Sequence, residues 1–477
     1  MSTTTTTVTS EISSLRLSAE EVRLPAPRDD RKSRLQQVVV IPQLFAVTLT
    51  ASVINGLVVV GLPTITADLQ LPPSLSLWPS SVCSLATAST LLLSGSIADT
   101  IGPRWVELVG SLASGALMLG QGLSQTGIEL VIMRAFQGVG LSMHLASSVS
   151  IVTQLLPPGW YIAGGITLFF TVIGLWSLPK SPVQRDGHIL RNVRTKIDWV
   201  GAGLASAFMA LLCYLLAILS ANPSRIRSAE SIIILCVAAI ALPTFITWVH
   251  FQVKRGKPAL IPNALWRNTS FSSICATVAL SNAVINSMEL FASLFFQEIQ
   301  SLSALGASIR ILPSLIVGVL INLVIGFFVH RIPAYWIVTI TSFFCAFSPL
   351  LMAVINPAWT YWANAFVAQL LQPISADALF TVGLIVITNV FPDDTQALAG
   401  AVFNTSAQFG SALGMAVLQV ISTVVTEEKE KGGESEKRAL MEGYRASFWT
   451  MFGLMVVCTA VGFFGLRRSG RVGLKRD

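Results

Sequence analysis

Long apolar runs recur through this chain from Gln37 to Leu466 and limit what it can fold into. A helix needs about 20 mostly apolar residues to cross a bilayer. Only 12% of the residues are charged, compared with about 25% in a soluble globular protein. We therefore predict an all-α polytopic membrane protein. The thirteen predicted spans are 37–62, 78–97, 105–124, 128–156, 160–178, 199–220, 231–252, 271–296, 311–330, 335–355, 359–390, 396–425 and 446–466.

The connections carry the orientation signals. The net charge is +7, and the basic residues cluster beside apolar runs, which is typical of the cytosolic side of a membrane protein rather than of nucleic-acid binding. Residues 1–36 lack an early apolar segment and are predicted to be a disordered cytosolic tail. The basic loops 179–198 and 253–270 and the basic tail 467–477 are expected in the cytosol. Loop 426–445 mixes six acidic with five basic residues and gives little orientation.

These orientation signals conflict at one place. With the N-terminus inside, four spans return the chain to the cytosol near Pro157. The span 160–178 then ends outside, yet the basic loop 179–198 follows it. By the same count of crossings, the later basic loop and the basic tail would also lie outside the cytosol. One additional helix between Pro157 and Tyr161 would place every basic loop in the cytosol.

Catalytic and metal-binding patterns are missing from the sequence. The six cysteines lie within apolar runs, so they are predicted to be small buried residues. The four histidines form no cluster with metal-ligand spacing, and no Walker-type phosphate loop is present. We therefore predict no metal, no cofactor and no enzymatic activity.

Several short motifs resemble those of the major facilitator superfamily, in particular its fungal fourteen-helix drug:proton antiporter group. The turn Gly95–Arg104 is similar to the signature loop after the second helix, and Arg134–Gly140 is similar to the fourth-helix signature. Further matching segments are Leu62–Leu69, Asp198–Gly201, Phe296–Gln300 with Ile311–Pro313, and Gln408–Gly410 with Gly414. The resemblance extends from about residue 37 to residue 466.

This resemblance implies two six-helix bundles joined by two linker helices. The N-terminal bundle would comprise 37–178, the linker helices 199–252 and the C-terminal bundle 271–466. Leu155–Gly159 is followed directly by Trp160–Gly165, which looks like the sixth helix of the family. The Gly-Pro signature of the fifth helix is absent, so the N-terminal bundle is predicted to be one helix short. There are two explanations for the missing fifth helix. Its segment was lost from the transcript or the gene prediction, or the chain is a natural thirteen-helix protein in which 128–156 re-enters the membrane.

Ionisable residues within predicted spans are the first candidates for a transport site, because they are costly in a membrane. Arg134 has Gln137 one turn away on the same helix face. The family resemblance implies a role in proton coupling, whereas the alternative is an arginine that extends to the lipid headgroups. His144 is predicted to make an interhelical hydrogen bond, and proton transfer is its alternative role.

The C-terminal bundle supplies the remaining candidates for the proton-coupling or substrate site. Asn282, Asn286 and Glu289 share one helix face, although Glu289 is near enough to the helix end to reach the membrane surface. Asp377 follows Pro373, which is expected to kink its helix. A structural pairing within the bundle is the alternative for Asp377. Asn404 and Gln408 are predicted to add neutral polar contacts.

Gly95, Asp99, Gly102 and Arg104 are predicted to form a gating loop. Opposite charges across the seam between the bundles would stabilise one facing state and separate in the other.

The predicted function is proton-coupled export of a small, largely apolar organic compound, such as a drug, toxin or secondary metabolite. Its partners would be that compound, protons and the lipid bilayer, and the transporter would be a monomer. The plasma membrane is the expected location, with the vacuolar membrane as the alternative and both termini cytosolic. The competing hypothesis is a non-transporting membrane protein, either a sensor or an inactive shortened product.

Overall fold

A computed structural model describes residues 47, 51–52, 54–71, 78–155, 197–221, 223–257, 260–261, 265–328, 332–391 and 393–467. The predicted tail 1–36, the span 160–178 and nearly all of the loop 179–198 and the tail 467–477 lie outside these residues. Within the described residues the structure consists of helices and short turns, without β-strands. The predicted all-α class is therefore confirmed.

The helices of the first half and the linker follow the predicted runs, except at the end of the first helix. The first half contains α1 (Ile54–Asp68), α2 (Trp78–Ile101), α3 (Pro103–Gly122) and α4 (Gly127–Leu155). The linker contains α5 (Trp199–Ala221) and α6 (Ala229–Lys254), with a short 3₁₀ helix at Pro223–Arg227. Helices α2 to α6 follow the predicted runs, whereas α1 continues to Asp68, through most of the segment Leu62–Leu69 that was predicted to follow the first helix.

The second half continues from residue 265, with 3₁₀ turns at Leu265–Arg267 and Tyr361–Ala363. Its helices are α7 (Thr269–Leu294), which ends in a π-helical turn at Phe295–Ile299, α8 (Ala304–Phe328), α9 (Ala334–Ala353), α10 (Ala365–Leu371), α11 (Ile374–Val390), α12 (Asp393–Lys431) and α13 (Glu436–Gly465).

Nine segments of the described chain are long and apolar enough to cross a membrane. They include both linker helices, and α10 with α11 together form one of them. The predicted spans 105–124 and 128–156 form α3 and α4 but are not among the nine, and α1 is a shorter apolar helix. The predicted kink is present, because the run 359–390 is interrupted at Pro373 between α10 and α11.

The prediction of a long loop at 426–445 is wrong, because most of this stretch is helical. Helix α12 continues to Lys431 and α13 begins at Glu436, so only a short turn separates them. Ion pairs accompany this extension, since Lys431 Nζ lies 3.5 Å from Glu427 Oε2 one turn earlier. The charged residues of this stretch, apart from Glu434 in the turn, belong to helix ends rather than to an irregular connection.

Glycines allow α4 to pack tightly between α2 and α3. A Cβ at Gly138 would lie 2.4 Å from the carbonyl oxygen of Cys83 on α2, and one at Gly140 would lie 2.6 Å from Ser114 Oγ on α3. The Thr87 hydroxyl also donates to the Gly138 carbonyl at 3.0 Å. Small residues at these positions let the helix backbones approach closely, and this packing holds Arg134 between the helices.

The Asp198–Gly201 motif anchors the first linker helix. Asp198 Oδ1 accepts hydrogen bonds from the Gly201 backbone N–H at 2.8 Å and from Trp248 Nε1 at 2.9 Å. Its other oxygen accepts from the Leu260 backbone N–H at 3.3 Å. One carboxylate therefore caps α5 and ties it to α6 and to the segment after it.

Candidate functional site

Arg134 lies near the start of α4 and is fully buried between helices of the first half. Its Nε donates to the Pro79 carbonyl at 3.0 Å, Nη1 donates to Gln137 Oε1 at 3.1 Å, and Nη2 donates to Asn55 Oδ1 at 2.7 Å. These contacts exclude the alternative in which Arg134 extends to the lipid headgroups. The guanidinium joins α1, α2 and α4 through neutral acceptors.

Gln137 extends this network as its position one turn after Arg134 predicted. Its Oε1 accepts from Arg134 and also from Gln121 Nε2 at 2.9 Å. The amide therefore links α4 to α3, and the polar cluster draws side chains from α1, α3 and α4 and a backbone carbonyl from α2. Asn55 and Gln121 were not predicted as site residues, although polar side chains in apolar helices are a usable signal for such contacts.

Glu289 of the second half faces the same part of α1. A Cβ at Gly56 would lie 3.7 Å from Glu289 Oε1, so the carboxylate approaches the α1 backbone directly. Gly56 follows Asn55, which binds Arg134. Two consecutive residues of α1 thus contact the buried cation of the first half and approach a carboxylate of the second half.

Asn282 and Asn286 lie with Glu289 on one half-buried stripe of α7, as predicted. Asn282 Nδ2 donates to the Val278 carbonyl and Asn286 Nδ2 donates to the Asn282 carbonyl, each at 3.0 Å. Each amide therefore retains its side-chain oxygen as an acceptor along the stripe.

Helix α12 carries Asn404 and Gln408 and packs on α7 through Gly410 and Gly414. Asn404 is buried and donates to the Gly400 carbonyl at 3.1 Å, whereas Gln408 is half-buried. The neighbouring Gly410 packs so closely on α7 that a Cβ there would lie 2.2 Å from the Ala279 carbonyl oxygen. The predicted Gln408–Gly410 motif therefore contains a helix contact beside a polar residue.

Asp377 lies on α11 and is directed to α8 rather than to α1. A Cβ at Gly318 would lie 2.8 Å from Asp377 Oδ2, and the Asn322 side chain hydrogen-bonds to the carboxylate. Asp377 and Glu289 thus face different helices.

The predicted gating loop is a turn of a single residue between α2 and α3. Gly102 adopts φ 97°, a backbone conformation that favours glycine, and Pro103 begins α3. Gly95 faces α12, because a Cβ there would lie 3.5 Å from Ala401 Cβ. Arg104 is half-buried, and the side chain of Asp99 lies outside the described part of the structure. The loop is therefore located where α2 meets a helix of the second half.

Sequence reasoning missed a second buried polar cluster between α3 and α4. Glu107 Oε1 lies 2.8 Å from His144 Nδ1, and Ser147 Oγ donates to Glu107 Oε2 at 2.6 Å. His144 thereby makes the interhelical contact that was predicted for it. Its partner could have been suspected, because Glu107 is an ionisable residue within a predicted span.

Comparison with known proteins agrees with this architecture. A sequence profile of the Major Facilitator Superfamily matches residues 44–371. A protein of Pyricularia oryzae named MFS-type transporter 1 is 33% identical over 532 aligned positions, which cover 94% of this chain and 86% of that protein. The methylenomycin A resistance protein of Bacillus subtilis is 25% identical, with 71% of this chain and 77% of that protein covered.

The fold is also similar to a solved structure. A bacterial homologue of the human lysosomal transporter Spinster, in an inward-facing unoccupied conformation, superposes with a TM-score of 0.54 at 15% identity, covering 91% of this chain and 97% of that chain. Together with the profile match and the fungal relative, this identifies the chain as a multi-pass membrane protein that belongs to the major facilitator superfamily of transporters.

Proposed function

We propose that this protein exports small, largely apolar organic compounds in exchange for protons by alternating access. In such transporters two helical bundles move around a site between them. The observation that carries the proposal is the pair of contacts at Asn55 and Gly56. Through them, Arg134 of the first half and Glu289 of the second half meet the same turn of α1.

Glu289 is the proposed proton carrier. No hydrogen bond or ion pair holds its carboxylate within the described residues, so protonation breaks no such contact. Arg134, in contrast, is held by three neutral acceptors. We assign Arg134 the role of a fixed positive charge that favours the ionised state of nearby carboxylates.

Neutral polar groups on the same helices and on α12 would suit contact with an organic substrate. Gln137, Asn282, Asn286, Asn404 and Gln408 provide amides on three helices, and we assign them to substrate contact. Asp377 is proposed as a second proton-linked group at the α8–α11 contact. A relative named for methylenomycin A resistance supports export as the direction of transport.

The proposal includes a gate and a location. Gly95, Asp99, Gly102 and Arg104 would form a cytosolic latch where α2 approaches α12, and it would open as the bundles separate. The transporter would act as a monomer with cytosolic termini in the plasma membrane, or alternatively in the vacuolar membrane.

The second candidate function is a non-transporting membrane protein. The alignment to the Pyricularia protein extends over 532 positions, more than the 477 residues of this chain. That relative therefore contains internal residues that have no counterpart here. Their absence favours a sensor or an inactive shortened product over a working transporter.

Efflux measurements separate the two candidates. We would express the full chain in yeast cells that lack their own exporters and follow retention of Nile red and a panel of neutral apolar compounds. We expect at least one compound to be exported, the export to stop when the proton gradient is collapsed, and Glu289→Gln to reduce it at least tenfold. Glu428→Gln, at an exposed position on α12, is the matched control and should export normally.

Two outcomes would contradict the proposal. Efflux that persists in both Glu289→Gln and Asp377→Asn would refute the assigned proton coupling. A well-folded protein at the membrane that exports none of the panel would favour the non-transporting candidate.

A further inference from the structure

A cavity between the two halves of the protein is lined by neither Arg134 nor Glu289. It has a volume of about 460 Å³ and is formed by α1, the π-helical turn after α7, α12 and α13. Its volume lies in the range typical of sites for small organic ligands. Glu298, which lines it, is nine residues after Glu289 and therefore roughly 13 Å further along the helix.

The charge of this cavity is negative. Glu298 and Glu427 both line it, and Tyr444 donates its hydroxyl hydrogen bond to Glu298. Glu427 has an ion pair with Lys431, but the lysine side chain is 78% exposed. Such exposed pairs contribute little, so the lysine leaves most of the negative charge of the cavity uncompensated.

Two residues of the cavity lining carry buried oxygens without a hydrogen-bond partner, namely Gln419 Oε1 and Thr426 Oγ1. A buried polar atom without a partner costs free energy comparable to a lost hydrogen bond. Acceptor oxygens beside carboxylates are suited to a ligand that carries a positive charge and N–H donors.

The remaining wall is apolar. Leu62 and Pro63 of α1 face Leu294 of α7 and Leu440 of α13 across the cavity. The described residues contain no group of three potential metal ligands, so two carboxylates and apolar walls fit an organic cation better than a metal ion.

We propose that this cavity binds an amphipathic organic ammonium ion. The ammonium group would lie between Glu298 and Glu427 and donate to Gln419 Oε1, while the apolar part would pack on Leu62 and Leu294. The site is built by both halves of the protein, since α1 supplies one wall and α7, α12 and α13 supply the others. A hydrogen bond from Gln297 Nε2 to the Val60 carbonyl at 2.9 Å also joins the two halves, between the π-helical turn after α7 and α1.

Equilibrium binding to the purified full chain tests the site without any transport measurement. The probes are 1-naphthylmethylammonium and the neutral 1-naphthalenemethanol, which have nearly the same size. At pH 7 we expect the ammonium to bind at least tenfold more tightly than the alcohol. Glu298→Gln and Glu427→Gln should each weaken its binding severalfold, and Leu62→Trp should abolish it by filling the cavity.

Two control variants locate the binding. Glu428→Gln, next to the cavity but not part of its lining, should bind as the unaltered protein does. Glu289→Gln should also bind normally, because its carboxylate is on another part of α7. Equal affinities for the two probes, no measurable ammonium binding, or binding lost only in Glu289→Gln would each overturn the proposal. Melting temperatures of the variants would identify any loss that comes from unfolding.

Discussion

Glu107 and His144 are 37 residues apart in sequence, yet Glu107 Oε1 lies 2.8 Å from His144 Nδ1 and both side chains are completely buried. The close approach of α3 and α4 makes this pair possible, because a Cβ at Gly110 would lie 2.8 Å from the Gly140 carbonyl oxygen. Ser147 occupies the other carboxylate oxygen. The cluster joins two helices of the first half.

Replacing His144 should therefore affect stability more than transport. In His144→Leu, Glu107 keeps only Ser147 as its partner in this cluster, and losing one partner of a buried polar pair costs about 1–3 kcal/mol. We expect a lower melting temperature in detergent and an unchanged pH profile of efflux per folded molecule. His250→Leu, at an exposed position on α6, should melt normally. A shifted pH profile with normal melting would instead give His144 a role in proton transfer.

The sequence predicts one member of this pair and not the other, for a physical reason. His144 was recognised because a single histidine in an apolar helix needs a hydrogen-bond partner. Nothing in a linear pattern identifies which carboxylate, 37 residues away, supplies it. The same limit applies to the partners of Arg134. Gln137 could be predicted because it is one turn away on the same helix, whereas Asn55 could not, because it comes from α1.

Element boundaries show a related limit. Apolar composition located a helix at each predicted span that the structure describes, and Pro373 correctly predicted an interruption. The charged stretch 426–445 was predicted to be a loop because hydropathy reports only apolar length. Helices α12 and α13 extend through it and place Lys429, Lys431, Glu427 and Glu434 in ion pairs.

Gly410 should tolerate no side chain. A Cβ at this position would lie 2.2 Å from the Ala279 carbonyl oxygen, a distance at which the helices must separate. Overpacking of this kind typically costs 1–3 kcal/mol. We expect Gly410→Ala to lower the melting temperature and the yield of folded protein. Gly453→Ala on α13 is the matched control, since no atom lies within 4 Å of its Cβ position, and equal losses in both variants would refute the packing argument.

Arg134 should not be replaceable by lysine. Its three nitrogens donate in three directions, to Pro79, Gln137 and Asn55. An ammonium group is a compact point charge and lacks the planar fork that makes these contacts together. We expect Arg134→Lys to reduce proton-dependent efflux at least tenfold while the protein still reaches the membrane. Arg225→Lys, in the exposed 3₁₀ helix, should export normally, and normal efflux by Arg134→Lys would show that charge alone suffices.

The messenger RNA should contain a segment that this chain lacks, between Leu155 and Tyr161. Two observations support this: the basic loops after residue 179 are displaced by one crossing, and the alignment to the Pyricularia protein is longer than the chain. A helix with its loops takes about 30–40 residues. Sequencing cDNA across this junction should therefore yield a longer in-frame product that encodes an apolar, glycine-rich helix. If only the short message is found, cysteine labelling of loop 179–198 decides between two thirteen-helix arrangements. The loop should lie on the same side of the membrane as Arg104 if 128–156 re-enters, and on the opposite side if 128–156 crosses. The thirteen-helix protein is then real, and the non-transporting candidate becomes the stronger one.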